Sequence, residues 1–171
     1  VGSMAIAYLN GATPNELRHA MATFQGAKRR FDFLLKTDKI VLIDDYAHHP
    51  EELAASITSV KELYPDKKLT GIFQPHLYSR TKDFAAEFAR SLSLLDELIL
   101  LDIYPAREKP IEGVTSHIIF DRVTCHKTLC RKDELLSLLE KKNDIEVLLT
   151  IGAGDIDQLL TPIKELLERK L

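Results

Sequence analysis

Residues 40–43 read Ile-Val-Leu-Ile and run straight into Asp44, Asp45, Tyr46, Ala47, His48, His49 and Pro50. A continuously apolar run of this length fits a strand buried on both faces, as in parallel sheets covered by helices. Pro50 suits the first position of a helix, and Leu53, Ile57, Val60 and Tyr64 then fall on one stripe. The unit recurs. Leu69 to Phe73 reads as a strand, followed by Gln74, Pro75, His76, Leu77, Tyr78, Ser79, Arg80 and Thr81. Thr81 is expected to cap the next helix, which carries Phe84, Phe88 and Leu92 at intervals of four. Strand, polar knot and helix in repetition imply a mostly parallel sheet covered on both faces.

One antiparallel pairing is expected. FDFLLK, from Phe31, reads as an edge strand joined to the 40–43 strand by a tight turn at Thr37-Asp38. Further on, Glu97 to Ile103 reads as a strand, and 104–116 as a long loop holding Pro105 and Pro110. Val123 to His126 reads as a short strand, 132–142 as a helix and Glu146 to Ile151 as the last strand. Asp155 opens the final helix, with Ile156, Leu159, Leu160, Ile163 and Leu167 inward. Residues 1–24 differ in kind. They read as two helices, the second opened by a capping box over Thr13-Pro14-Asn15-Glu16 and carrying Leu17, Ala20, Met21 and Phe24 on one face. This pair is too small to fold alone, and Gly26 marks a break after it. Gly2-Ser3-Met4 reads equally as native sequence or as a cloning scar. The expected fold is therefore Rossmann-like α/β with an antiparallel edge hairpin, preceded by a short helical segment.

In an open α/β sheet, ligands bind beyond the carboxyl ends of the strands. Both polar knots should share one rim, with Asp44, Asp45, Tyr46, His48, His49, Gln74, His76 and Arg80 in reach of one ligand. Asp45 can accept ribose hydroxyls, and equally reads as an acid flanking the helix that Pro50 opens. Asp44 is the weaker ribose candidate, one position deeper in the strand. Arg29 and Arg30, just before the first strand, read on spacing alone as solvated. His49 also reads as a helix-entry residue. The Arg80 guanidinium matches a carboxylate bidentately, as lysine cannot. His48 and His49 beside Asp44 and Asp45 diverge, and no third spaced ligand follows, so no protein-only metal site is expected.

Ile151-Gly152-Ala153-Gly154-Asp155 lacks the third glycine of a dinucleotide fingerprint, and close packing of the loop suits it better. No G-x-x-x-x-G-K-[ST] string occurs, so this chain carries no P-loop. The net charge of -3 leaves no basic footprint for nucleic acid. No apolar run approaches a membrane span. Cys125 and Cys130 form no CxxC pair, so reduced thiols and a cytoplasmic setting are expected.

DDYAHHP followed by FQPHLYSRT, with FQGAKRRFD before and YPAREKP and IGAGDI after, resembles the carboxy-terminal domain of the Mur ligases. These are the ATP-dependent ligases of peptidoglycan synthesis. D-Y-A-H-x-P alone indicates the wider family. FQPH followed by S/T-R-T is similar to the branch that joins L-alanine to UDP-N-acetylmuramate. The recycling branch, which adds a whole peptide to the same sugar, departs from FQPH here. A non-catalytic Rossmann-like nucleotide-binding module is the alternative from another class.

The resemblance implies roles for particular residues. Arg30, in R-F-D, would contact the nucleotide, and Asp45 the ATP ribose. Tyr46, His48, His76 and Arg80 would lie at the incoming amino acid, with His48 and Arg80 nearest the chemistry. Some relatives carry a second Arg after the FQPH histidine, where this chain has Leu77. The resemblance also implies that 1–25 are the last helices of a central ATPase domain and 26–171 the carboxy-terminal domain. ATP and Mg2+ would be held mainly by that central domain. The implied partners are UDP-N-acetylmuramate, L-alanine and the enzyme's own central and amino-terminal domains, with no nucleic acid or membrane.

Overall fold

The computed structural model describes residues 2–24 and 26–171. A six-stranded sheet lies at its centre. The strands are β1 (Asp32–Lys36), β2 (Val41–Asp45), β3 (Leu69–Phe73), β4 (Glu97–Leu100), β5 (His126–Leu129) and β6 (Val147–Ile151). Their order is β1-β2-β6-β3-β4-β5. Only β1 runs antiparallel, forming the expected edge hairpin with β2. Thr37 closes its turn, donating from the hydroxyl to the Ile40 carbonyl and accepting from the Ile40 N–H.

Helices cover both faces: α3 (Pro50–Leu63), α4 (Tyr78–Asp83), α5 (Ala85–Leu92), α6 (His117–Phe120), α7 (Leu135–Lys141) and α8 (Leu160–Glu168). Successive strand residues feed opposite layers, because side chains alternate across a strand. Val41, Ile43, Val147 and Leu149 pack with Leu53, Ile57 and Phe88 on one side. Leu42, Leu148, Ile72 and Ile99 pack with Leu135, Leu139 and Ile163 on the other. Ile40 to Ile43 had to be apolar throughout because both faces are covered.

The two amino-terminal helices, α1 (Gly2–Leu9) and α2 (Pro14–Thr23), contain no buried residue. The capping box at Thr13 is present, with the Glu16 carboxylate accepting from the Thr13 N–H at 2.8 Å.

Three sequence expectations need correction. Thr81 does not cap a helix. Helix α4 starts at Tyr78, and the buried Thr81 hydroxyl donates back to the Leu77 carbonyl at 2.7 Å. The chain kinks at Phe84 (φ -115, ψ 20) before α5 begins. The fifth strand is His126–Leu129 rather than 123–126, because Val123 closes the turn after α6 through its N–H to Ile119 and Phe120. Its signal was weak because this edge strand is only partly covered. Finally, β4 ends at Leu100, although Leu101 and Ile103 remain buried below the rim.

Candidate active site

Strand β6 enters the sheet between β2 and β3, which places a crevice at the carboxyl ends of these three strands. Backbone bonds continue the pairing past the strands. The Gly152 N–H donates to Asp45 O at 3.1 Å, and the Gln74 N–H to Ile151 O at 3.1 Å. The two polar knots thus share one rim, as the sequence predicts.

The residues on that rim divide into three sets. Arg30, Phe31, Asp45, Tyr46, His48 and Glu52 line an open cleft of about 360 Å³. No hydrogen bond or ion pair among the described residues engages the side chain of Arg30 or the carboxylate of Asp45. Both are available to a ligand.

His76 and Arg80 form the second set, beside the cleft rather than in its lining. His76 is half-buried, and its ring stacks on Tyr104 with centroids 5.8 Å apart. Its Nδ1 is buried without a partner among the described residues. Burial, and then the charges of Arg80 and His48, push the His76 pKa below its ordinary value. The imidazole is therefore neutral at pH 7, with a nitrogen free to accept or donate. Arg80 forms no ion pair among the described residues. It stands on α4 with its charge felt at His76.

His48 links the two sets. Its Nδ1 lies 3.0 Å from Tyr46 O, and its ring meets Tyr46 edge-on at 5.5 Å. The Glu52 carboxylate accepts from the backbone N–H of both His48 and His49, which fixes the loop and holds its pKa below the usual range.

The third set is structural, and it narrows the sequence reading. Asp44 is fully buried, accepts from the Thr150 hydroxyl at 2.6 Å and pairs with Arg29 at 3.3 Å. Desolvation still raises its pKa. It is not a ligand contact. His49 caps α3, accepting from the Glu51 N–H at 3.4 Å, and its ring packs on Phe84. Gln74 is 3 % exposed. Its amide donates to Asp155 at 2.8 Å, and its oxygen accepts from the Ile156 N–H at 2.9 Å. Gly154 has no room for a Cβ because the Gln74 side chain fills that space. The 151–155 loop is therefore packed against the FQPH segment, in the close-packing role expected of it.

Arg29 is the residue that sequence reasoning missed. It is not solvated. Its guanidinium pairs with Asp44, donates to Gly152 O at 2.8 Å, reaches Asp157 at 3.3 Å and lies 5.0 Å from the centre of the Tyr46 ring. The available signal was Asp44 itself. A carboxylate at the end of a buried strand needs a cation or strong donors, and the hairpin partner brings Arg29 beside it.

Residues 29–154 match the family described as Mur ligase, glutamate ligase domain. A UDP-N-acetylmuramate–L-alanine ligase of Parabacteroides distasonis is 64% identical over 172 residues, covering 100% of this chain and 37% of the relative. The crystal structure of UDP-N-acetylmuramate-alanine ligase from Thermotoga maritima superposes with a TM-score of 0.77 at 26% identity, over 98% of this chain and 36% of that one. A murein peptide ligase from Psychrobacter arcticus shares the fold, with a TM-score of 0.63 at 19% identity over 94% and 35% of the two chains. The chain thus spans little more than a third of the relatives it matches.

Proposed function

The chain belongs to the Mur ligase family through its glutamate ligase domain, and from that premise we propose that it is the carboxy-terminal domain of an ATP-dependent ligase joining L-alanine to UDP-N-acetylmuramate. The observation that carries this reading is the 64% identity, over the whole chain, to a relative bearing that activity in its name. In the proposed reaction the sugar carboxylate takes the γ-phosphoryl group of ATP, releasing ADP, and becomes an acyl phosphate. The alanine nitrogen then bonds to the acyl carbon and loses a proton, and phosphate departs.

The roles are assigned within one rim. Asp45 and Arg30 line the open cleft and fit a nucleotide, the carboxylate accepting ribose hydroxyls. Tyr46 and His48, from the same cleft, fit the amino acid together with His76 and Arg80 beside it. Arg80 supplies a cation without a competing carboxylate, and neutral His76, stacked on Tyr104, adds no second positive charge. Their service is positioning and charge stabilisation in a site that closure would dry. Mg2+ is assigned no ligands on this chain. In this reading it arrives with the triphosphate, held by a P-loop domain elsewhere in the full-length enzyme.

Residues 1–25 are read as the last helices of that central domain and 26–171 as the carboxy-terminal domain. The exposure of Ile6, Tyr8, Leu9, Met21 and Phe24 supports this division. ATP and a UDP-sugar as substrates place the reading in the cytoplasm, and both cysteines are free thiols.

Full-length enzyme offered L-alanine or a tripeptide, with ATP and UDP-N-acetylmuramate, tests the reading. Faster turnover of L-alanine is expected, and preference for the tripeptide would replace it with the recycling activity. This chain alone should bind ATP no tighter than about millimolar, near −4 kcal/mol. Titration calorimetry checks this, and micromolar binding would place the main nucleotide site here.

A further inference from the structure

The loop after β4 folds back over the start of α4. Tyr104 N–H donates to Pro75 O at 2.8 Å, and Leu77 N–H donates to Tyr104 O at 3.0 Å. A turn follows, closed by the Glu108 N–H on Pro105 O at 2.9 Å, with Ala106 at a φ of 51°. Beyond that turn, the Glu108 carboxylate accepts from the Ser79 N–H at 2.9 Å and from the Ser79 hydroxyl. Ser79 directly precedes Arg80.

Helix α4 needs this support. It has six residues, and its N-cap, Leu77, gives no side-chain cap. Leu77 also sits at a φ of 70°, which an L side chain holds only where its surroundings enforce it. Nothing within 77–83 supplies the missing acceptor for Ser79. The acceptor comes from 29 residues further along the chain.

We propose that Glu108 is a positioning residue for Arg80, latching the first turn of α4 through Ser79 so that the guanidinium meets the amino-acid carboxylate. This rests on the reading of Arg80 given above. The two Ser79 hydrogen bonds hold the Glu108 carboxyl below the usual carboxylate range, so it is ionised and accepts both at neutral pH.

The test compares Glu108→Ala, Glu108→Gln, Arg80→Ala and the double variant Glu108→Ala/Arg80→Ala in full-length enzyme, each with a melting curve. Glu108→Ala should lower kcat/KM for L-alanine by about 10- to 100-fold, the scale of a small misplacement of a reacting group, and leave KM for ATP in place. Glu108→Gln should recover part of the loss, since its amide oxygen still accepts from the Ser79 N–H. In the double variant, loss of Glu108 should cost nothing beyond loss of Arg80, because a residue acting through Arg80 has nothing left to position. Should Glu108→Ala melt below the assay temperature, Ser79→Ala, which loses the hydroxyl bond, and Glu108→Gln, which loses the charge, carry the same comparison. Normal kinetics in the Glu108 variants beside a crippled Arg80→Ala would overturn the latch and leave the site reading intact. Losses that multiply in the double variant would overturn it too. Normal kinetics for Arg80→Ala would overturn both.

Discussion

In the full-length enzyme, Arg80→Ala should lower kcat/KM for L-alanine by a factor of about 30 to several thousand, at ~1.4 kcal/mol per decade. The loss of a charge-assisted contact in a water-poor site is worth roughly 2 to 5 kcal/mol, much of it the cost of leaving the opposite charge unpaired. Arg80 has no ion-pair partner among the described residues that would compete for its guanidinium. Arg80→Lys should recover only part, since a point charge cannot replace a planar fork. The fold should be indifferent, because Arg80 belongs to neither apolar cluster. Steady-state kinetics beside a melting curve checks both halves. A normal kcat/KM for Arg80→Ala would reduce the residue to a solvated charge near the start of a helix.

The largest effect on stability should come from Gly152→Ala. Gly152 follows β6 at a φ of 142°, and an added Cβ would stand 2.7 Å from the backbone oxygen of Gln74. A backbone oxygen cannot rotate away as the end of a side chain can. Strain and overpacking together should cost roughly 2 to 4 kcal/mol. In a domain of this size that lowers Tm by roughly 5 to 15 °C. The damage should reach the rim, because the Gly152 N–H holds Asp45 O and its carbonyl receives Arg29. Gly113→Ala isolates the conformational part. Gly113 has a φ of 76° with nothing within 4 Å of the new Cβ, so about 1 kcal/mol is expected. Denaturant melts of the two variants make the comparison, and equal losses would show that the Gln74 contact contributes nothing.

Burial on two faces leaves a plain mark in sequence, and the central strands were legible for that reason. Ile40 to Ile43 and Val147 to Leu149 are apolar because helices cover both sides. Edge and rim elements carry weaker marks. Strand β5 has an exposed residue and three partly covered ones, so its register could not be read from hydrophobicity. Helix α4 begins without a capping side chain of its own, since Glu108 supplies the acceptor from a distant loop, and Thr81, the expected cap, lies inside the helix. That Asp45, Tyr46 and His48 would stand on the rim was legible from the polar residues that follow an apolar strand. The burial of Asp44 and Gln74 was not, because it depends on Arg29, Thr150 and the amides of the 151–156 segment meeting them in space. Asp44 and Asp45 are adjacent acids in the sequence, and only the pairing of β2 with β6 separates the buried one from the one in the cleft.

A rim with a nucleotide half and an amino-acid half shows itself in KM for ATP and for L-alanine in full-length Asp45→Ala and Arg80→Ala. A crossed result is expected. Asp45→Ala should raise KM for ATP and spare KM for L-alanine, and Arg80→Ala should do the reverse. An Asp45→Ala enzyme with an unchanged KM for ATP, or an Arg80→Ala enzyme whose defect lies in ATP alone, would contradict it.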